Sequence, residues 1–152
     1  MKRKITILLV NVLITMCFVQ PAEAGTSLSK AKSLIRDLYY GQQQAAQRST
    51  DAENSYIISR NYPGMYTNPR KCLLDLQAQY GGSYGPAVPN LSTVDFDKNW
   101  KIPTGLPSNK LSGKKPKGET FVVDVTWTSG ISTNHVTILN GKAYYFLWVC
   151  GS

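Results

Sequence analysis

Few side chains in this 152-residue chain are equipped for nucleophilic or acid–base chemistry: one histidine, His135, and three cysteines, Cys17, Cys72 and Cys150. Cys72 lies in "NPRKCLLDLQAQYGG", which reads as a helix with Asn68 as cap, Pro69 in the first turn and Gly81 beyond its end. A helix start lowers a thiol's pKa, and a thiolate beside an imidazole is the nucleophile and base of a thiol hydrolase. In that reading Cys72 attacks, His135 takes the proton, and Asn134, Asp124 or another amide orients the ring. The competing reading joins Cys72 to Cys150 and leaves no nucleophile.

The compartment bears on that choice. Lys2, Arg3 and Lys4 precede an apolar run from Ile5 to Val19 and the small-x-small pattern Ala22-Glu23-Ala24, the order of a secretory signal. The run is shorter than the roughly 20 residues of a spanning helix, so residues 1–24 are expected to be removed and Gly25 to begin the mature domain, 25–152. Cleavage removes Cys17. Two cysteines then remain in an oxidising space outside the cytosol, and such a pair is expected to form a disulfide.

Cleavage also lowers the formal charge from +8. The excess is local, because Lys98, Lys101, Lys110, Lys114, Lys115 and Lys117 fall in a stretch, about 98–118, that holds no acid. A basic loop of this kind draws an anionic surface by its field. Beyond Trp100 at its entry it lacks interleaved aromatics, which argues against a specific nucleic-acid site. One histidine and two cysteines are too few for a zinc site, no glycine-rich phosphate loop follows a strand, and no cofactor is expected. Asp95 and Asp97 alternate to one face of an expected strand and read as solvent-facing.

The elements that must position these residues follow from periodicity. Leu28, Ala31, Leu34, Ile35, Leu38 and Tyr39 recur at helical spacing, and the glutamines and alanines beyond Gly41 extend that helix to about Arg48. Thr50 and Glu53 form an expected capping box for a second helix to about Arg60, with Ala52, Tyr56 and Ile57 inward. "NYPG" ends it. A strand is expected in "STVDFDKNW", with Val94, Phe96 and Trp100 inward. From Glu119 the period becomes two, with Phe121, Val123, Val125 and Trp127 on one face.

Asn140-Gly141 between "HVTIL" and "KAYYFLWV" signals a two-residue hairpin turn with positive φ. It sets Leu139 opposite Lys142, Thr137 opposite Tyr144 and His135 opposite Phe146. One face then carries Val136, Ile138, Ala143, Tyr145, Leu147 and Val149. The other carries His135, Thr137, Tyr144, Phe146, Trp148 and Cys150, an aromatic surface that either packs or lines a pocket. The expected class is α+β, with N-terminal helices packed on a curved, mostly antiparallel sheet of about four strands.

The order of "SLSKAKSLIRDLYYGQQQAAQ", "SRNYPGMY", "TFVVDVTW", "HVTIL" and "KAYYFLWV" over residues 28–149 resembles the nuclear transport factor two-like, cystatin-like α+β superfamily. That resemblance implies a pocket or a dimer face, hence the capacity to form a homodimer, and no particular reaction. The Cys72–His135 arrangement loosely resembles papain-like peptidases, although "PRKC" lacks the glutamine and small residues of their oxyanion hole. The expected function is an exported, non-catalytic binding or assembly module of the envelope or extracellular space. Its partner would be a protein or envelope component, met through His135, Tyr144, Phe146 and Trp148, or an anionic surface met through Lys110, Lys114, Lys115 and Lys117. The alternative is the papain-like thiol hydrolase.

Overall fold

A computed structural model describes residues 25–65, 68, 71, 74, 75, 78, 85–104 and 110–146. Two N-terminal helices, α1 (Leu28–Arg48) and α2 (Thr50–Ser59), precede a four-stranded antiparallel sheet of β1 (Val88–Phe96), β2 (Glu119–Trp127), β3 (Gly130–Leu139) and β4 (Lys142–Tyr145). The strands pair in chain order, a meander with β1 and β4 at its edges. This is the expected α+β class.

Helix α1 is capped by Ser27, whose hydroxyl accepts the Lys30 amide. Its stripe of Ala31, Ile35, Leu38 and Tyr39 is buried against Phe121, Val123 and Val125 of β2, Val136 and Ile138 of β3, and Ala143 and Tyr145 of β4. Gly41 weakens the helix by about 1 kcal/mol relative to alanine, yet it is where α2 crosses. A Cβ there would lie 2.2 Å from the Tyr56 hydroxyl, which donates to the Leu38 carbonyl at 2.9 Å.

The second helix departs from expectation in its polarity. Ser49, not Thr50, is the cap, and its hydroxyl accepts the Ala52 amide. This moves Glu53 one place beyond the position from which a side chain returns to the cap. Glu53 instead turns inward with Asn54 and Ile57 and is fully buried. Gln42 donates to Glu53 Oε1 at 3.1 Å, and the Tyr145 hydroxyl reaches both Gln42 Oε1 and the Leu38 carbonyl at 3.1 Å. A polar chain thus joins α2, α1 and β4 across the interior. Burial raises the pKa of the Tyr39 and Tyr145 phenols, which keeps both protonated.

The hairpin has the expected register, with Leu139 opposite Lys142 and Thr137 opposite Tyr144. Asn140 at φ 52 and Gly141 at φ 72 make the turn that matches strand twist. The β4 ladder ends at Tyr145, so Phe146 stands beyond its last pair. The outer edge of β4 is met by the residues after α2: Tyr145 donates to the Arg60 carbonyl and the Tyr62 amide donates to the Tyr145 carbonyl.

Of the expected third helix, Lys71, Leu74, Asp75 and Ala78 are helical and Asn68 Oδ1 accepts the Lys71 amide. Residues 1–24, Cys72, Trp148 and Cys150 lie outside the described residues, and so do the proposed signal and disulfide.

Candidate functional site

Strand alternation divides the β3–β4 hairpin into two surfaces. The inner one, carrying Val136, Ile138, Ala143 and Tyr145, belongs to the core under α1. The outer one, carrying His135, Thr137, Leu139 and Tyr144, meets the segment that connects β1 to β2. That segment was expected as a basic loop, and it is also the cover of this face.

Its apolar residues do the covering. Ile102 is 1% exposed and clusters with Tyr62, Met65 and Phe146, while Trp100, Leu111, Leu139 and Tyr144 pack around them. Phe146 stacks on Tyr62 at 4.9 Å between ring centroids and meets Trp100 edge-on at 4.4 Å. The segment closes on itself, since the Ile102 amide donates to the Lys114 carbonyl and the Lys114 amide to the Leu111 carbonyl. The Tyr62 hydroxyl accepts the Lys117 amide at 2.8 Å and pins the far end beside β2. Lys98, Lys101, Lys110, Lys114, Lys115 and Lys117 all face solvent.

His135 sits where the segment leaves β1. Its Nε2 lies 3.3 Å from Asp97 Oδ2, and its ring stacks on Trp100 at 4.5 Å with an interplanar angle of 21°. Asp97 therefore does not simply face solvent as its alternation with Asp95 suggested. It leaves the strand face, its amide donating to the Thr120 carbonyl as β1 ends at Phe96. Burial lowers the His135 pKa, and the Asp97 carboxylate opposes that shift by favouring the imidazolium. Trp100, expected inward on a strand, instead lies past the strand on the outer face.

The pairing of an imidazole with a carboxylate is the orienting half of an acid–base device. A general base must also bring its other nitrogen within reach of a nucleophile. Cys72, the nucleophile of the hydrolase reading, lies outside the described residues, so the structure assembles only the base and its carboxylate. Of the residues expected to bind a ligand or partner, Phe146 is 6% exposed, while His135 and Tyr144 are half-buried. The cleft where His135, Asn134 and Phe146 approach Tyr39, Gln42, Ile57, Trp127 and Tyr145 has room for about one water molecule. A site for a small organic ligand needs hundreds of cubic ångströms.

Among the described residues, no group of three or more His, Cys, Asp or Glu side chains is placed to hold a metal ion. Asp97 and Trp100 are the members of the site that the sequence placed elsewhere, Asp97 toward solvent and Trp100 inward on a strand. The one available signal was a lone tryptophan at the entry to a lysine-rich loop. Compared with known proteins, the chain matches no protein-family model, no curated protein and no solved structure.

Proposed function

We propose that this protein is an exported, non-catalytic binding module of the cell envelope or extracellular space, and that its working surface is the lysine-bearing segment between β1 and β2. The carrying observation is the division of labour within that segment. Trp100, Ile102 and Leu111 hold it against the sheet, while its six lysines point outward with no acidic residue among them in sequence. A cluster of lysines held in place attracts an anionic surface with on the order of 1 kcal/mol per residue close to that surface. Around Ile102, Lys114 and Lys117, where backbone hydrogen bonds tie the chain down, part of the ordering cost that a free loop would meet on binding is already borne by the fold.

In this reading His135, Tyr144 and Phe146 anchor the segment rather than contact the ligand. Cys72 and Cys150 are proposed to form a disulfide that ties the region after α2 to the end of the hairpin. The partner is an anionic phosphate-bearing surface, and vesicles containing phosphatidylglycerol are the probe. Sedimentation with such vesicles should capture the protein at low salt and release it as salt is raised, with little capture by pure phosphatidylcholine. Equal capture by both vesicle types would count against the proposal.

A further inference from the structure

Glu119 opens β2, and its carboxylate turns toward the start of the domain. Oε2 accepts the Thr26 amide at 2.5 Å, and Oε1 lies so near Gly25 that a Cβ there would sit 2.6 Å from it. Covalent geometry then puts the Gly25 nitrogen within about 5 Å of Oε1. The preceding residue sets this placement. Gly118 has φ +90, and a Cβ on it would lie 2.3 Å from the Ile138 carbonyl oxygen, an approach only glycine allows. Gly25, Thr26, Gly118, Glu119 and the Asn140-Gly141 turn line an open groove at this end of the sheet.

Helix α1 begins immediately after, and it supplies the second observation. Its first turn contains no acidic residue and does contain Lys30. The amino end of a helix carries partial positive charge, so a further cation beside it is unfavourable unless an anion is near. The fold brings that anion from β2.

We infer that Glu119 is a built-in counter-ion for the α-ammonium created when the chain is cut between Ala24 and Gly25. The inference rests on the exported reading of the chain. An external peptidase adds water across the Ala24–Gly25 bond. The hydroxyl goes to the Ala24 carbonyl carbon as the C–N bond breaks, and no electrons change hands. Ala24 departs as a carboxylate with the signal segment, and the Gly25 nitrogen keeps the protons as an ammonium. Before the cut that nitrogen is a neutral amide. The ion pair with Glu119 therefore exists only in the mature chain, and glycine at position 25 leaves the amine unhindered beside the carboxylate.

The test uses the exported protein, wild type and Glu119→Gln. Intact mass first gives the starting residue of each. The folded proteins are then treated with an acylating reagent at neutral pH, and modification of the amino-terminal peptide is followed by mass. The wild-type amine should react about threefold or more slowly than that of the variant, consistent with an ion pair of modest strength. High salt should speed the wild type toward the variant's rate, which simple burial would not do. Equal rates, or a wild-type rate indifferent to salt, would overturn the counter-ion role while leaving the cleavage reading intact. A mass showing a start other than Gly25 would overturn the cleavage reading, and the inference with it.

Discussion

The imidazole of His135 and the carboxylate of Asp97 meet 3.3 Å apart where the basic segment departs from the sheet. Trp100, three residues after Asp97, lies flat on the same imidazole. One residue of β3 thus receives two contacts from the first turn of the segment. The entry to the segment is held polar-side and face-on.

Trp100 should be the principal anchor. It touches His135 and Phe146, and its removal opens a gap in the outer cluster. Trp100→Ala is expected to cost about 2 kcal/mol, below the range for a fully buried tryptophan because this one is half-buried. Urea unfolding measures that loss. Amide exchange at Ile102 and Lys114 should accelerate by more than the global destabilisation explains, since their hydrogen bonds close the segment.

The His135 pair predicts a pH dependence of definite sign. Burial holds the folded pKa below the ordinary value of 6.5. Between the folded and unfolded values the unfolded chain binds more protons, so stability rises with pH across that window. The contribution is fully present above the unfolded pKa and is lost as pH falls toward the folded one. Asp97→Asn removes the carboxylate that favours the imidazolium and should lower the folded pKa further. Proton NMR of the imidazole as a function of pH reads both values, and an upward shift in Asp97→Asn would refute the assignment.

Much of the fold could be read from the sequence because its signals are local. The α1 stripe repeats at helical spacing, and Asn140-Gly141 demands positive φ, which alone determines that Thr137 faces Tyr144. The interior of α2 was not legible, because Glu53 and Asn54 are polar residues in core positions. Glu53 is met there by Gln42, eleven residues away, a partner that no local pattern announces. The covering of the outer face was likewise hidden. Trp100, Ile102 and Leu111 follow no period, and the Asp97–His135 contact joins positions 38 apart that no spacing rule connects.

The interior polar chain offers a third prediction. Tyr145→Phe deletes the hydroxyl that donates to Gln42 Oε1 and Leu38 O. Leu38 O keeps its bond from Tyr56, so the loss falls on the buried Gln42 oxygen. Leaving it unpaired should cost about 1–2 kcal/mol. Denaturant unfolding measures this, and no change would mean that the chain contributes nothing to stability.

The proposed Cys72–Cys150 disulfide closes a loop of about 79 residues and would contribute roughly 4 kcal/mol in the chain-entropy picture. Intact mass of the protein recovered from outside the cytosol, before and after reduction, should show a deficit of about two daltons, the two thiol hydrogens lost on pairing. Two free thiols would remove the tether and restore Cys72 as a candidate nucleophile for His135.

The central claim is that the lysine segment is the working surface. Its most direct test is vesicle binding by the quadruple variant Lys110→Gln, Lys114→Gln, Lys115→Gln and Lys117→Gln, with circular dichroism and thermal unfolding confirming an intact fold. All four lysines are exposed, so stability should change little. Affinity for phosphatidylglycerol vesicles should fall by at least about tenfold, with a shallower dependence on salt. A folded variant that binds as tightly as the wild type would contradict the account.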